Sequence, residues 1–153
     1  MARTIHQGEL DRDDVRQLLA SHVAAMHVHS PPEACHVLPA DRLHDPAITF
    51  FSVRDEGRLL AIGALKALGN GTGEIKSMRT HAEALRQGAA STILRAIVAE
   101  ARSRGYSRLL LETGSGPEFA AATLLYERAG FTRCEPFGGY LPGPFTRFMS
   151  LDL

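Results

Sequence analysis

A short run of small residues beside an arginine, at positions 86–91, has the composition of a phosphate-binding turn. It reads Arg86-Gln87-Gly88-Ala89-Ala90-Ser91 and stands between a strand-like run and an amphipathic helix pattern. The first amides of a helix have no intrahelical acceptor, and the helix dipole adds partial positive charge where they point. Gly88 allows a close approach of the main chain, and Arg86 adds a charged donor suited to phosphate. The run therefore predicts a cradle for an anion.

This cradle is only moderately specific when it is taken alone. It matches neither GxGxxG nor GxxxxGKS/T, the usual dinucleotide and nucleoside-triphosphate motifs. A purely structural interpretation is also open, because a helix that packs closely on a sheet also begins with small residues. The predicted strands and helices on either side of the cradle are needed to distinguish the two interpretations.

Strands and helices alternate around the cradle. The pattern predicts an edge strand at 2–8, a helix from a capping Asp11 to about Met26, and strands at 48–53 and 59–66 before a third that begins near Glu74. Gly63 inside the second of these predicts a bulge or a close backbone approach. After the cradle, the pattern predicts a helix closed by Gly105 and a buried strand at 108–113. It then predicts a helix from Pro117 to about Ala129, followed by strands at 131–134 and 145–151.

Composition restricts the class of protein. The chain has 153 residues, which fits one domain, and Lys+Arg and Asp+Glu are both 17, so no basic field favours nucleic acid or an anionic membrane. Cys35 and Cys134 form no CxxC pattern, and neither a signal peptide nor a membrane-spanning run is evident, which predicts a cytoplasmic protein. His22, His27, His29 and His36 lack metal-site spacing, so we expect no metal and interpret them as a polar helix end near a substrate mouth.

Two landmarks carry a resemblance to a known family. The segment Leu85–Ala90 matches the pattern Gln/Arg-x-x-Gly-x-Gly/Ala at Gly88 and Ala90, although its arginine comes one residue late. The segment Leu125–Phe131, Leu-Tyr-Glu-Arg-Ala-Gly-Phe, reproduces the second landmark fully. The chain resembles the GNAT superfamily of acetyl-CoA-dependent N-acetyltransferases, and SPPE, GALK, EIKSMRT, LETGS and CEPFGGY resemble one bacterial branch of it. The resemblance implies a single α/β domain of the α+β type over residues 1–153, with a mixed, mostly antiparallel central sheet and helices on both faces.

The resemblance also implies where acetyl-CoA would bind. The backbone of Met78, Arg79 and Thr80 would meet the pantetheine arm, and Arg86, Gln87, Gly88, Ala89, Ala90 and Ser91 would hold the pyrophosphate. Glu112, Thr113 and Gly114 would flank the cofactor's entry between two parallel strands, and Tyr126 would lie near the sulfur. Phe119 stands where the family often has an asparagine, so it would lie at the cofactor site without the polar contact of that asparagine.

Acetyl transfer to an amine sets the remaining roles. A free alkyl amine has a pKa near 10.4, so a base must take a proton as attack proceeds, and Glu74 is the candidate, with Glu112 and then His81 as competitors. Tyr126 would protonate or position the leaving thiolate, and a backbone amide at Met78 or Arg79 would stabilise the oxyanion. His29, Glu33 and Tyr140 are expected to line the site of a small-molecule amine acceptor.

Other interpretations stay open at this point. The displaced arginine and the missing asparagine suit a module that binds acyl-CoA as a sensor or scaffold without turnover. A protein or peptide amine is an alternative acceptor. A homodimer formed through the late strands is expected from the fold that the resemblance implies.

Overall fold

A computed structural model describes residues 3–30 and 40–153. The strands are β1 (Arg3–Gln7), β2 (Ile48–Asp55), β3 (Arg58–Gly69), β4 (Thr72–Thr80), β5 (Arg108–Gly114), β6 (Thr132–Arg133) and β7 (Thr146–Asp152). The helices are α1 (Asp13–His29), α2 (Ala89–Ser103) and α3 (Ala120–Arg128), with short 3₁₀ turns at Ala40–His44, Ala82–Ala84 and Pro117–Phe119. This order of elements is the one that the sequence pattern predicts.

The strands form one seven-stranded sheet in the order β1-β2-β3-β4-β5-β7-β6. In the described part of the chain, β4 and β5 are parallel, and every other neighbouring pair is antiparallel. The predicted mixed, mostly antiparallel sheet of an α/β protein is therefore confirmed. The last strand, β7, lies between β5 and β6 rather than at the edge, so it completes the sheet on the far side of β5.

Helices cover both faces of this sheet, as predicted. On one face, α2 and α3 pack over a core that contains Leu65, Ile93, Ile97, Leu111, Tyr126 and Phe131. On the other face, α1 contributes Val15, Leu18 and Leu19 to a second core with Phe50 and Ile62. The apolar residues of each helix recur every three or four positions, so that one stripe of each helix meets the sheet.

Close packing of α2 depends on Gly63 in β3. A Cβ added to Gly63 would lie 2.6 Å from Ile93 Cγ2 and 2.6 Å from Met78 Sδ, so a larger residue would displace one of them. The register between β3 and β4 also shifts between Ile62 and Ala64. The predicted close approach at Gly63 is confirmed, whereas the extra residue of the bulge lies opposite it in β4.

The first helix differs from its prediction at both ends. It begins at Asp13 and continues to His29, and its N-cap, Arg12, makes no side-chain capping bond, so the prediction that Asp11 caps the helix is wrong. Asp14 takes that role in the first turn, because its Oδ1 accepts the amide of Val15. Both Asp14 oxygens also accept hydrogen bonds from the buried Arg54, which thereby ties α1 to β2.

Candidate active site

A gap opens in the sheet between the two parallel strands, β4 and β5. Within the described strands, their pairing runs from Thr72 with Arg108 to Ile75 with Leu111 and ends there, although β4 continues to Thr80 and β5 to Gly114. The opposite edge of β5 stays paired with β7 as far as Gly114. The facing edges beyond Ile75 and Leu111 therefore present backbone groups to an opening rather than to each other.

A bulge in β4 shapes one side of this gap. Between the pairs Ile62–Arg79 and Ala64–Lys76, β4 uses one more residue than β3. Ser77 has a φ of +57°, a left-handed conformation that is uncommon for a residue with a side chain. Because a bulge changes the direction of the side chains it carries, Ser77 lines the space beyond the gap.

The gap leads into a partly open cavity of about 120 Å³ that is lined by residues of α1, β4, β5, α3, β7 and the turn Pro117–Phe119. Its walls are formed by His22, Met26, Ser30, Glu74, Ile75, Lys76, Ser77, Met78, Glu112, Thr113, Gly114, Phe119, Ala122, Tyr126 and Thr146. The structure therefore brings together seven residues that sequence analysis assigns to the site: Glu74, Met78, Glu112, Thr113, Gly114, Phe119 and Tyr126. These residues are separated in sequence by as many as 52 positions, and only the fold makes them neighbours.

Phe119 reaches the cavity because Gly114 has no side chain. A Cβ added to Gly114 would lie 2.1 Å from Phe119 Cδ2, which places the ring directly against the end of β5. The ring also meets His29 edge to face, with centroids 6.4 Å apart. The position where the family often has an asparagine is therefore an apolar wall of the cavity in this chain.

Tyr126 is almost completely buried on α3 at the cavity wall. Its ring contacts Phe131 edge to face at 5.9 Å, and within the described residues its hydroxyl has no hydrogen-bond partner. Burial raises the pKa of Tyr126, because the phenolate form would lose its hydration. The hydroxyl therefore keeps its proton at neutral pH and is available to donate it to a group in the cavity.

Glu74 forms a hydrogen-bonded triangle with Lys76 and Tyr140. Its Oε2 is 3.1 Å from Lys76 Nζ and accepts the Tyr140 hydroxyl at 3.0 Å, while Lys76 Nζ donates to the same hydroxyl at 3.0 Å. The side chains of Glu74 and Lys76 are 3% and 7% exposed. Burial and the carboxylate of Glu74 raise the pKa of Tyr140, so that its hydroxyl remains a donor.

The cradle lies at the start of α2, beyond the end of β4. Gly88 is the N-cap with a φ of +78°, and Arg86 is also left-handed, with a φ of +62°. In the described part of the chain, the amides of Ala89, Ala90 and Ser91 donate to no protein acceptor. A helix start of this kind holds anions well, because its free amides and the helix dipole point outwards together.

A cation from the opposite end of the chain adjoins the cradle. The guanidinium of Arg3 in β1 donates to the carbonyl of Gln87 and to Thr92 Oγ1. Arg3 is not among the predicted site residues, because it precedes the cradle by more than 80 residues and no local pattern connects the two. Arg3 adds positive charge beside the amides of the turn.

Three polar atoms in the cavity are buried without a partner in the described structure: His22 Nδ1, Ser77 Oγ and Thr146 Oγ1. Sequence analysis notes His22 only as one of several histidines and does not consider the other two. The available signal for His22 is helical spacing, since it continues the buried stripe of Val15, Leu18 and Leu19. A histidine on such a stripe lies on the inner side of the helix.

Several predicted residues lie outside the cavity walls. His29 Nδ1 is 4.0 Å from Glu118 Oε1 at the exposed end of α1. Arg79 and Thr80 continue β4 towards the cradle, paired with Ile62 and Ala61 of β3. His81 caps the turn Ala82–Ala84 by accepting the amide of Glu83. Glu33, like Cys35 and His36, lies outside the described residues.

Neither a metal site nor a membrane-spanning segment is found in residues 3–30 and 40–153. No group of three or more His, Cys, Asp or Glu side chains in these ranges is placed to hold a metal ion. None of the helices there is both long and apolar enough to cross a membrane.

The sequence matches the model of the acetyltransferase (GNAT) family over residues 14–131. It is 45% identical to the uncharacterised N-acetyltransferase YedL of Escherichia coli, over 98% of this chain and 94% of that protein. It is 46% identical to the uncharacterised N-acetyltransferase YsnE of Bacillus subtilis, over 95% of this chain and 96% of that protein. Among solved structures, a Klebsiella pneumoniae protein assigned as an acyl-CoA N-acyltransferase superposes with a TM-score of 0.79 at 26% identity, covering 99% of this chain and 97% of that one.

Proposed function

The chain belongs to the acetyltransferase (GNAT) family, and we propose that it is a single domain of residues 1–153 that transfers the acetyl group of acetyl-CoA to a primary amine of a small molecule. The observation that carries this proposal is the gap between β4 and β5, which opens at a cavity walled by Tyr126; the helix that follows β4 along the chain begins with free amides after Gly88. The thioester of acetyl-CoA at the gap would lie near Tyr126, and the pyrophosphate of the same molecule would meet the free amides of the cradle.

The residues present fit acetyl-CoA along this path. The edge of β4 beyond Ile75 is unpaired on the side of β5, so the backbone of Met78, Arg79 and Thr80 is available to the pantetheine arm. Beyond it, the free amides of Ala89, Ala90 and Ser91 would bind the pyrophosphate, with Arg86 and Arg3 supplying positive charge. Acetyl-CoA supplies the activated acetyl group as a co-substrate.

Transfer in a ternary complex needs no covalent bond to the enzyme. The amine nitrogen bonds to the acetyl carbon as the carbon–sulfur bond breaks, and Tyr126 donates its proton to the departing thiolate. A backbone amide at Met78 or Arg79 would stabilise the charge on the carbonyl oxygen. Glu74 is the base that sequence analysis proposes, but in the structure its carboxylate already accepts bonds from Lys76 and Tyr140.

The dimensions of the cavity favour a small acceptor. About 120 Å³ admits an acetyl group and the end of a slender amine, and the aromatic wall of Phe119 restricts broader groups. His29 contacts the wall residue Phe119, the Tyr140 hydroxyl contacts the wall residue Glu74, and both would contact the remainder of the acceptor. We place this reaction in the cytoplasm, since two cysteines in no paired pattern suit a reducing compartment.

Calorimetric titration tests the cofactor assignment. We expect acetyl-CoA and CoA to bind with micromolar affinity and ATP not to bind, because the cradle holds a pyrophosphate while the gap selects the pantetheine arm. Absence of binding by acetyl-CoA would reject the proposal. Binding without acetyl transfer to any of a panel of primary amines would instead favour an acyl-CoA sensor.

A further inference from the structure

The three unpartnered polar atoms of the cavity need an explanation. His22 Nδ1, Ser77 Oγ and Thr146 Oγ1 are all buried, and they come from α1, β4 and β7. A buried donor or acceptor without a partner destabilises the folded protein. Three residues that line one cavity therefore have polar groups that the protein itself does not satisfy, and the cavity is where a ligand would approach them.

His22 holds the position in the cavity that suits a proton acceptor. It projects from α1 on one face of the sheet, whereas Tyr126 lines the cavity from α3 on the other face. The charged and titratable groups that line the cavity with it are Glu74, Lys76, Glu112 and Tyr126, and the positive charge of Arg79 also acts on it. Its Nδ1 bonds to none of these groups.

We propose that His22 is the group that accepts the proton released by the attacking amine, and that Ser77 and Thr146 hydrogen-bond the amine beside it. This inference rests on the function proposed above and assigns the step for which sequence analysis names Glu74. The nitrogen–carbon bond forms and the carbon–sulfur bond breaks. One proton passes from the amine nitrogen to a ring nitrogen of His22, and another passes from Tyr126 to the thiolate sulfur.

The electrostatics of the cavity keep His22 in the form that this step requires. Burial, aided by the positive charge of Arg79, lowers the pKa of His22 to about 4, so the imidazole is neutral at physiological pH. A neutral imidazole carries one ring proton and leaves the other ring nitrogen as an acceptor. The amine nitrogen becomes much more acidic once it bonds to the carbonyl carbon, so even a weakened base can take its proton.

Glu74 is less suited to the same step. Its carboxylate is held by the salt bridge to Lys76 and by the hydroxyl of Tyr140. Proton transfer to Glu74 would neutralise one partner of a buried ion pair and leave the charge of Lys76 uncompensated. The triangle therefore serves to fix this part of the cavity wall, while the imidazole of His22 has no ion-pair partner to lose.

The test uses hydroxylamine as the amine, because it is small enough to need no acceptor pocket. Release of CoA from acetyl-CoA is measured for the wild type, for His22→Gln, and for His27→Gln as a matched control on the exposed side of the same helix. We expect His22→Gln to lower kcat about 100-fold with KM for acetyl-CoA unchanged within about twofold, in line with the usual contribution of a general base. His27→Gln should match the wild type.

Two further measurements separate a catalytic role from a structural one. Imidazole added to His22→Ala should restore part of kcat, since it replaces the missing base in the vacated space. An NMR titration of wild-type His22 should show a neutral ring from pH 6 to 8 with acetyl-CoA bound, which keeps the test valid if the variants do not fold.

The outcomes distinguish this inference from the function on which it rests. Wild-type kcat in a folded His22→Gln, or a protonated His22 ring at pH 7, would overturn the inference alone. Loss of kcat in Glu74→Gln at full activity of His22→Gln would assign the base to Glu74. A wild-type protein that binds no acetyl-CoA, or releases no CoA with hydroxylamine or any amine of the panel, would overturn both proposals.

Discussion

At the scale of single residues, the hydrogen-bond partners of a side chain separate structural from chemical roles. Glu74 and Lys76 are buried and satisfied by each other and by Tyr140. Tyr126 and His22 are equally buried, but the Tyr126 hydroxyl and His22 Nδ1 have no partner in the described structure. Buried polar groups are normally paired, so unpaired groups on residues that line a cavity favour a chemical role over a structural one.

Replacing Tyr126 by phenylalanine removes one oxygen and keeps the ring against Phe131. We expect kcat to fall about 10- to 100-fold with a change of less than about threefold in affinity for acetyl-CoA, because only the proton donor is lost. Steady-state kinetics and calorimetry measure the two quantities. Tyr106→Phe is the control, since Tyr106 contacts Arg104 away from the cavity. Unchanged turnover in Tyr126→Phe would leave the residue a packing role only.

His22 also predicts how stability depends on pH. Its pKa is about 4 in the folded protein and 6.5 without the fold, so between these values the unfolded chain binds more protons. The contribution of His22 to the free energy of unfolding is thus fully present above pH 6.5 and falls by about 3 kcal/mol as the pH drops to 4. Urea unfolding at pH 7.5, 6 and 4.5 measures this slope. It should shrink in His22→Gln and persist in His27→Gln; equal slopes in all three proteins would contradict the burial argument.

Site residues that belong to local sequence patterns can be predicted from the sequence, whereas those defined by contacts across the fold cannot. Tyr126 and Gly88 belong to short motifs, so their type and spacing predict their place. His22, Ser77 and Thr146 come from three separate elements, and nothing near each of them in sequence indicates a shared cavity. The contact of Arg3 in β1 with the cradle could not be predicted for the same reason.

At the scale of elements, the site depends on two interruptions of regular structure. The pairing of β4 with β5 stops at Ile75, and the bulge at Ser77 changes the direction of the next side chains. Alternation and turn signals predicted most strands, because those signals are local. The bulge was not predicted at Ser77, since serine gives no sign of a positive φ, and the position of β7 beside β5 depends on pairing between distant segments.

The cradle is tested by placing a carboxylate at the N-terminus of α2. Gly88→Glu should weaken acetyl-CoA binding more than about 100-fold, because the side chain fills the turn and repels phosphate. Gly105→Glu is a matched control at the other end of the same helix, since the two glycines have φ values of +78° and +76°. Each substitution should cost about 1–2 kcal/mol of stability through left-handed strain.

Thermal unfolding and calorimetry on both glycine variants separate strain from ligand binding. Equal losses of stability with binding lost only in Gly88→Glu would support the cradle. Retained affinity in Gly88→Glu would mean that this turn is a packing feature of the sheet. Loss of binding in both variants would indicate that general destabilisation, rather than the added charge, is the cause.

At the scale of the whole molecule, the two faces of the sheet have separate cores that meet at the site. Arg54 is buried between Glu9 and Asp14 and thereby holds α1 on its face. α2 and α3 pack on the other face. Among the residues that line the cavity, His22 belongs to α1 and Tyr126 belongs to α3. The relative position of the proposed base and acid is therefore set by the packing of both layers on one sheet.

The late segments of the chain predict a homodimer. The loop before β7 exposes Leu141 (80%) and Phe145 (50%), and the two-residue β6 forms one edge of the sheet. Exposed apolar side chains and strand edges both favour association with a second copy. Light scattering should therefore give twice the chain mass of 16.6 kDa. Leu141→Asp combined with Phe145→Asp should give the monomer mass, whereas Val28→Asp, at the similarly exposed end of α1, should stay dimeric. A wild-type monomer at all concentrations would contradict the prediction, and a dimeric double variant would move the interface away from this loop.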